Sequence, residues 1–571
     1  MAQRGSDPEY FQDGPRLGNQ WDGDVVLRRT LERLTPPELH AELVSGLPAL
    51  GQRAAGDIAR LGDQAEAQPP RLVAFDPWGR RIDCIEVSRG WRRLHAIAAE
   101  EGLVATPYER AHGAWSRLRQ LAAIHLFHPS SAVATCPLAM TDGAAKVLSE
   151  HADEGVRARI LPRLTSRDPR TFWTSGQWMT ERAGGSDVSR TGTVACPGEP
   201  FRLHGTKWFT SATTSEIALT LARVEGDAEG SRGLSLFLIE TRDEDGGLRG
   251  IRILRLKDKL GTRALPTAEL ELDGAPASLI GERGRGVATI ASMLNITRLW
   301  NAACAVASIR RGLALAGDYA RCREAFGRAL SEHPLHVATL ADLQAEYEAA
   351  FQLVARCFML LGREEAGEAS AEERSALRLL TPLAKLWTGK LTVAHASEIL
   401  ECVGGAGYIE DTGLPRLLRD AQVLPIWEGT TNVLSLDVLR VLGREESFAQ
   451  LRADLERRLD GVQDEGALRE PAVALATVLG DLGRWHATHR EENERLEAGA
   501  RDFALRLARA AAGVHLLEQA AWEAARGDGG RATAAAARFV LRAFQRPGCE
   551  PAPDPGVDRL LFAATASSVG D

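Results

Sequence analysis

A change of hydrophobic period divides this chain of 571 residues into helical and strand-rich parts. Between residues ~173 and ~280, short runs of strand-forming residues alternate in part and are separated by Gly, Asp and Pro. On both sides, apolar residues recur at three- and four-residue spacings, which predicts amphipathic helices, the later ones at about 288–321, 335–362, 372–404 and 429–442. The order indicates a mainly α, α+β protein with an N-terminal helical domain (1–172), a middle β-domain (173–280), a helical bundle (281–443) and a C-terminal helical extension (444–571).

The composition narrows the classes of function. Hydrophobic residues make up 44% and charged residues 26% of the chain, as in globular proteins. No run approaches the ~20 apolar residues of a membrane span, and the polar N-terminus does not resemble a signal peptide. The eight scattered cysteines form no CxxC pair, so we expect reduced thiols, no metal site and a cytoplasmic protein. The formal charge of -8 disfavours a protein that binds nucleic acid over its whole surface.

The segment 179–187, Met-Thr-Glu-Arg-Ala-Gly-Gly-Ser-Asp, lies where the helical pattern gives way to strands. Its adjacent glycines allow a tight turn whose amide groups can approach an anion. The hydroxyls of Thr180 and Ser186 can donate further hydrogen bonds to a phosphate or a polar heterocycle. An ordinary polar turn is the alternative.

The segment 207–211, Lys-Trp-Phe-Thr-Ser, places two large aromatic residues at the end of a predicted strand. Trp208 and Phe209 can pack against a flat cofactor ring, and the neighbouring hydroxyls can reach its polar edge. Burial in the protein core is the more common explanation for such aromatic residues.

The segment 401–408, Glu-Cys-Val-Gly-Gly-Ala-Gly-Tyr, contains a Gly-x-Gly pattern that is also found in dinucleotide-binding folds. That fingerprint requires a preceding strand and a third glycine, whereas a helix precedes this segment and Glu410 occupies the third position. We therefore expect a glycine-rich helix end that lets a ligand or another backbone approach closely.

The segment 419–432 contains Glu428 between Trp427 and Gly429, with Ile426 nearby. Apolar neighbours suit a carboxylate that has to take up a proton, since burial makes its charged form costly. The alternative is an acid that is stabilised by the dipole of the helix that follows.

Together and in this order, these segments resemble the acyl-CoA dehydrogenase superfamily over residues 70–443. Its Met-Thr-Glu-x-x-x-Gly-Ser-Asp loop matches 179–187, its Lys-x-Phe/Trp-x-Thr/Ser strand end matches 207–211, and its Arg-x-x-Phe-Gly matches 323–327. Its Gly-Gly-x-Gly-Tyr matches 404–408, and its Arg-Asp followed by Tyr/Trp-Glu-Gly-Thr matches 419–430. The segments 69–83 and 414–416, the Trp-Glu-Gly with Asn432, and the C-terminal extension are similar to the AidB-like branch.

The resemblance implies the family fold, with a β-barrel-like middle domain and a four-helix bundle, plus an added helical domain. It also implies FAD as cofactor, with Glu428 removing the α-proton of an acyl-CoA thioester while the flavin accepts a hydride from the β-carbon. The positions that match FAD contacts are Met179, Thr180, Gly185, Ser186, Phe209, Thr210, Ser211, Arg323, Phe326, Glu401, Gly404, Gly405, Trp427, Thr430 and Asn432.

The resemblance further implies a homo-oligomer, commonly a dimer of dimers. Arg323, Phe326, Glu401 and Gly404 with Gly405 correspond to positions that reach the FAD of a neighbouring subunit. On the substrate side, Arg298 matches a family arginine near the CoA end. Asn295 replaces a frequent Asp there, and Arg182 replaces a frequent Pro in the flavin loop, so the substrate is left open. The electron acceptor, an electron-transfer flavoprotein or oxygen, is also left open.

Besides the dehydrogenase function, two others are compatible with the sequence. The AidB-like branch includes members proposed to bind DNA in the response to alkylation damage with little dehydrogenase activity, and an electron-transferring scaffold is a third reading. In the extension, Arg531, Arg538, Arg542 and Arg546 share one helix face. A solvated surface is the ordinary explanation for such a face, and the extension as a whole is acidic. We therefore expect DNA binding to be weak and to be lost at moderate salt.

Overall fold

The computed structural model describes residues 13–443, 447–462, 466–544, 559–561 and 563. Helices form most of it. In the first 170 residues they are α1 (Val25–Leu34), α2 (Pro37–Leu43), α3 (Leu47–Ala55), α4 (Asp57–Ala67), α5 (Arg89–Glu100), α6 (Thr106–Glu109), α7 (Ser116–Phe127), α8 (Thr135–His151) and α9 (Glu154–Leu164). After the strand-rich part they are α10 (Gly286–Thr289), α11 (Ala291–Cys322), α12 (Pro334–Glu365), α13 (Ala371–Cys402), α14 (Pro415–Ala421) and α15 (Thr431–Leu442). The extension adds α16 (Ser447–Asp460), α17 (Arg469–His489), α18 (Asn493–Ala524) and α19 (Gly530–Phe544).

The strand-rich part forms a closed barrel. The strands are β1 (Arg71–Phe75), β2 (Arg81–Glu86), β3 (Ser175–Gln177), β4 (Val194–Cys196), β5 (Phe201–Ser211), β6 (Ile217–Val224), β7 (Leu234–Glu240), β8 (Ile251–Leu256), β9 (Thr267–Ile280), β10 (Glu324–Ala325) and β11 (Arg328–Ala329). The sheet order β6-β4-β5-β9-β7 returns to β6, while β3 extends β6 and β8 extends β9. The predicted middle β-domain is confirmed, and β1 and β2 form a separate hairpin within the N-terminal helical part.

The barrel packs against helices on one side, which explains why β6 is apolar on both faces. Seven of its eight residues are buried, since alternate side chains point into the barrel and toward α8 and α9. A loop of the barrel also contacts the bundle, where the amide of Thr262 donates a hydrogen bond to Asp420 Oδ1 over 2.6 Å. At Gly261 an added Cβ would lie 2.4 Å from the carbonyl oxygen of Arg419, so this contact requires glycine. The barrel is thereby held against the segment that leads to Glu428.

The bundle and the extension share one hydrophobic core. The helices predicted after the barrel are confirmed as α11, α12, α13 and α15. Helices α16, α18 and α19 pack against α12, α13 and α15, and their apolar residues belong to the same buried cluster as those of the bundle. The added helices are therefore an integral layer of the bundle, and they cover its outer side.

Candidate active site

Glu428 occupies a left-handed turn before α15. Its φ is +56° and that of Gly429 is +102°, values that only glycine adopts readily, so the surrounding structure has to hold the turn. The turn brings the Glu428 carboxylate to α11, where Thr297 Oγ1 donates a hydrogen bond to Oε2 over 2.6 Å. The carboxylate is thus bound by the side of another helix, which disfavours the alternative of an acid engaged with the start of α15.

Lys385 anchors the same turn from α13. Its side chain is fully buried, and its Nζ donates a hydrogen bond to the carbonyl oxygen of Gly429 over 2.6 Å. Burial lowers the pKa of Lys385 to about 7, although the charge of Glu428 opposes that shift. No local pattern marked Thr297 or Lys385 as site residues, because both lie within long helices and reach the turn at Glu428 and Gly429 only through the fold.

The predicted substrate residues lie beside this turn on α11. Arg298 Nη1 donates a hydrogen bond to Asp437 Oδ2 over 2.7 Å, while its Nε is buried without a hydrogen-bond partner among the described residues. Asn295 is exposed one turn earlier on the helix. Arg298 is therefore fixed near the acid, and Asn295 is free to meet a ligand from solvent.

Strand β5 presents an aromatic ring and a hydroxyl on one face. Phe209 is 52% exposed, and Ser211 follows it on the same side of the strand. Trp208 is half-buried, with Lys257 Nζ 3.6 Å from its ring centroid. Core packing, the common explanation for these aromatic residues, is therefore wrong for Phe209. Thr210 points the other way, since its hydroxyl is buried and donates to the carbonyl oxygen of Ala268 over 2.7 Å.

Cys136 of α8 connects this face of β5 to the acid. Burial raises the pKa of the Cys136 thiol well above its usual range, and Ser211, Lys259 and Glu428 are near enough to influence it. Burial also lowers the pKa of Lys259 to about 8. Cys136 is therefore near both Ser211 of the barrel and Glu428 of the bundle, a connection that the scattered cysteine pattern did not indicate.

The loop 179–187 is shaped for close approach and is fixed by an ion pair. At Gly185 an added Cβ would lie 2.6 Å from Thr180 Oγ1, so glycine lets the Thr180 side chain lie against the loop. Glu181 accepts hydrogen bonds from Lys207 Nζ over 2.7 Å and from the amide of Gly192 over 2.7 Å, which ties the loop to β5. Ser186 is exposed and Met179 is half-buried. An ordinary polar turn would not need these constraints.

Trp427, which directly precedes the acid, helps to line a cavity of about 530 Å³. Its Nε1 donates a hydrogen bond to Asn301 Oδ1, which fixes the indole. After the acid, Thr430 and Asn432 are exposed, and Asn432 Oδ1 accepts a hydrogen bond from Arg501 of α18 over 3.2 Å. The extension therefore touches a residue that was predicted to contact the cofactor.

The other predicted cofactor residues lie at the opposite end of α11. Phe326 is 98% exposed just after that helix, close to Arg323, and Glu401, Gly404 and Gly405 are exposed at the end of α13. From Thr297 to Arg323 are 26 residues, which at 1.5 Å per residue is about 39 Å along the helix. The structure does not bring these two groups of predicted residues together within one chain.

The arginine face of α19 is turned inward. Arg531 forms ion pairs with Glu348 and with Glu523, the latter over 3.1 Å, and Arg538 pairs with Asp342 over 2.5 Å. Both side chains are only 12% exposed, so the expected solvated surface is wrong for them, whereas Arg542 is 55% exposed. Arg546 lies outside the described residues. Helix periodicity had shown which residues share a face, but the acidic residues that this face meets lie on α12 and α18.

Four family profiles together match most of the sequence. They are described as adaptive response protein AidB N-terminal domain (residues 15–169), acyl-CoA dehydrogenase, middle domain (176–275), acyl-CoA dehydrogenase, C-terminal domain (284–443), and acyl-CoA dehydrogenase 11 C-terminal domain-like (446–545). In the part of the chain that the structure describes, no helix combines the length and apolarity of a membrane span.

Relatives match along most of their length. The acyl-CoA dehydrogenase family member 11 of Caenorhabditis elegans is 45% identical over 90% of this chain and 86% of its own. The putative acyl-CoA dehydrogenase AidB of Escherichia coli K12 is 32% identical over 75% of this chain and 81% of its own. The crystal structure of Caenorhabditis elegans ACDH-11 in complex with C11-CoA covers 95% of this chain and 94% of its own, with 42% identity and a TM-score of 0.91.

Proposed function

The chain belongs to the acyl-CoA dehydrogenase family, and we propose that it oxidises an acyl-CoA between Cα and Cβ with FAD as cofactor and Glu428 as base. The observation that carries the proposal is the Glu428 carboxylate, which Thr297 holds by a hydrogen bond and whose charge acts on Cys136 beside Ser211 of the barrel. The relative that was crystallised with C11-CoA supports an acyl-CoA as the substrate class.

The residues on the barrel side fit a flavin. The half-exposed ring of Phe209 offers a packing surface, Ser211 a hydroxyl, and Thr180 with Ser186 further donors on a loop that glycine keeps open. When bound, FAD supplies the acceptor for the hydride that leaves the β-carbon. The protein contributes the orientation of the thioester and the removal of the α-proton.

Glu428 performs the proton transfer in this proposal, and its neighbours position it. The Thr297 hydroxyl fixes one carboxylate oxygen, so the other can face the α-carbon. Lys385 holds the left-handed turn through its hydrogen bond to the carbonyl oxygen of Gly429. Trp427 lies on the acyl side, and Arg298 with Asn295 lies where the CoA portion would enter.

We further propose that a second copy of the chain completes the cofactor site. Arg323 lies about 39 Å from Thr297 along α11, too far to contact the same FAD, and Phe326 follows it while Glu401, Gly404 and Gly405 lie at the end of α13. An exposed phenylalanine suits an interface between subunits. Phe326→Ala should therefore lower both flavin content and oligomer mass in light scattering. Full flavin retention by a monomer would contradict this part of the proposal.

The structure gives little support to nucleic-acid binding through the extension. Phosphate contacts need accessible cations, whereas Arg531 and Arg538 already form ion pairs with Glu348, Glu523 and Asp342. The predicted weak, salt-sensitive binding stays a prediction that a gel-shift assay at two salt concentrations can test.

The decisive experiment is anaerobic flavin reduction. Purified holoprotein is mixed with straight-chain acyl-CoAs of increasing length, and the oxidised flavin band is followed. Bleaching with at least one thioester is expected, slowed about 10³-fold in Glu428→Gln, since general-base catalysis contributes about 10²–10⁴-fold. Asp437→Asn, which removes a nearby carboxylate that pairs with Arg298, is the control that should remain far more active. A flavin that stays oxidised with every thioester would overturn the proposal.

A further inference from the structure

Arg311 on α11 is a buried cation without a carboxylate partner among the described residues. Arg311 is 6% exposed, its Nη2 donates to Ser130 Oγ over 2.6 Å, and its Nε has no hydrogen-bond partner in the described part of the chain. The preceding Arg310, in contrast, lies 3.3 Å from Asp24. Burial and the nearby Arg416 lower the pKa of Arg311 to about 9, so it remains charged at neutral pH. An unpaired buried charge is costly, so an anionic ligand that pairs with Arg311 would remove this cost.

Arg311 lines the cavity of about 530 Å³ to which Trp427 also contributes. Cavities of this size are typical of small-molecule sites. Its walls are largely apolar and come from α11, α13, the turn at 128–133 and the segment 406–424. A chain whose reacting carbons lie at Glu428 would pass Trp427 and enter this space.

The other charged groups on the walls already have partners. Arg416 pairs with Asp63 over 3.2 Å, and Asp420 accepts a hydrogen bond from the Thr262 amide over 2.6 Å. Asp13 lies 3.5 Å from Arg16. Burial lowers the pKa of His128 to about 3, so its ring is neutral. Among the described lining residues, Arg311 is the cation that retains a buried donor without a partner.

The position of Arg311 along α11 sets the length of the ligand. Thr297, which contacts Glu428, and Arg311 are 14 residues apart, or about 21 Å along the helix axis. The long arginine side chain shortens the gap that a ligand has to span. A medium or long acyl chain can therefore place its reacting end at Glu428 and its far end at Arg311.

We infer that the acyl chain carries a carboxylate at its far end and that Arg311 binds it. The substrate class is then the ω-carboxyacyl-CoAs, the monothioesters of straight-chain dicarboxylic acids. A guanidinium binds a carboxylate through parallel hydrogen bonds, and the free Nε of Arg311 is one of the two donors that such a pair uses. This inference rests on the proposed function, because it assigns the far end of the same substrate.

The test compares dodecanoyl-CoA with dodecanedioyl-CoA on the holoprotein. We expect the wild type to show at least a tenfold higher kcat/KM for the dicarboxylic thioester. Arg311→Met should lower that value about 10- to 100-fold while leaving dodecanoyl-CoA within about threefold, since a charged hydrogen bond is lost. Arg311→Lys should restore part of the preference, because it keeps the charge. Arg416→Met, which removes a paired cation from the same cavity, should leave the ratio between the two substrates unchanged.

Equilibrium binding of both thioesters to Glu428→Gln separates the two claims. Preferential binding of dodecanedioyl-CoA without any flavin reduction in the wild type would remove the proposed function and support the role of Arg311. Flavin reduction with equal kcat/KM for both thioesters would keep the function and overturn the inference. Equal losses for both substrates in Arg311→Met would overturn it as well, since the arginine would then act only on the shape of the cavity.

Discussion

The buried cations Lys385 and Arg311 of the bundle and Arg531 of the extension differ in how completely they are paired. In the extension, Arg531 contacts both Glu348 and Glu523, and its guanidinium is satisfied within the chain. In the bundle, and among the described residues, Lys385 donates only to a backbone carbonyl and Arg311 only to a serine hydroxyl. Both regions bury charge to a similar degree. The difference indicates that the extension is complete as folded, whereas the site in the bundle is completed by a ligand.

How completely a buried cation is paired also predicts whether its removal affects mainly stability or mainly function. A fully paired buried ion contributes little net stability, but removal of one partner leaves the other uncompensated and costs several kcal/mol. An incompletely paired cation already destabilises the empty fold, so its removal costs less stability and more function. Variants in the two regions should therefore affect different measurements.

The largest expected effect is on stability, in the extension. Arg531→Met leaves Glu348 and Glu523 buried without their cation, so the free energy of unfolding should fall by about 3–5 kcal/mol. Urea denaturation measures this change. Arg542→Met, on the same helix but 55% exposed, is the matched control and should cost less than about 1 kcal/mol. Equal losses in the two variants would remove the distinction between the regions.

The next effect is on catalysis, at the acid. Lys385→Met removes the hydrogen bond that holds Gly429, and a small displacement of the base can slow the reaction about 100-fold. Stopped-flow flavin reduction at saturating acyl-CoA measures the rate constant, with flavin content checked by absorbance. A variant that keeps its flavin and the wild-type rate would show that the turn holds without Lys385.

The same residue predicts a pH dependence of stability. The pKa of Lys385 is about 7 in the folded protein and about 10.4 when exposed, so between these values the unfolded chain binds more protons. The contribution of Lys385 therefore becomes less unfavourable as the pH rises from 7 toward 10. Compared with Lys385→Met, the wild type should gain about 1–2 kcal/mol between pH 7 and pH 9. If the free energies of unfolding of the wild type and Lys385→Met changed equally with pH across this range, the prediction would be contradicted.

The smallest effect should come from the hydroxyl beside the base. Thr297→Val keeps the shape of the side chain but removes the hydrogen bond to Glu428, so flavin reduction should slow about tenfold. Thermal unfolding should change little. The same slowing in Thr297→Ser, which keeps the hydroxyl, would assign the effect to packing.

The sequence predicted features with a local signature and missed those that only the fold assembles. Glu428, the glycine-rich loop and the barrel strands have such signatures, because chemistry or periodicity constrains adjacent residues. Thr297 and Lys385 lie 131 and 44 residues from their partners, in the middle of helices whose pattern reports only burial. The face of α19 was assigned to solvent for the same reason, since no local pattern shows that α12 presents Asp342 and Glu348 to it.

The left-handed turn at Glu428 also bears on how the family can diversify. Among residues other than glycine, Asn and Asp adopt this backbone conformation several-fold more readily than average, so the turn itself does not require Glu. An exchange for Asp would relax the backbone but withdraw the carboxylate by one methylene group. The position can therefore accept a shorter acid without refolding, and a reacting carbon closer to the turn would restore the contact. One codon change at this position offers evolution a route to a different substrate geometry on an unchanged scaffold.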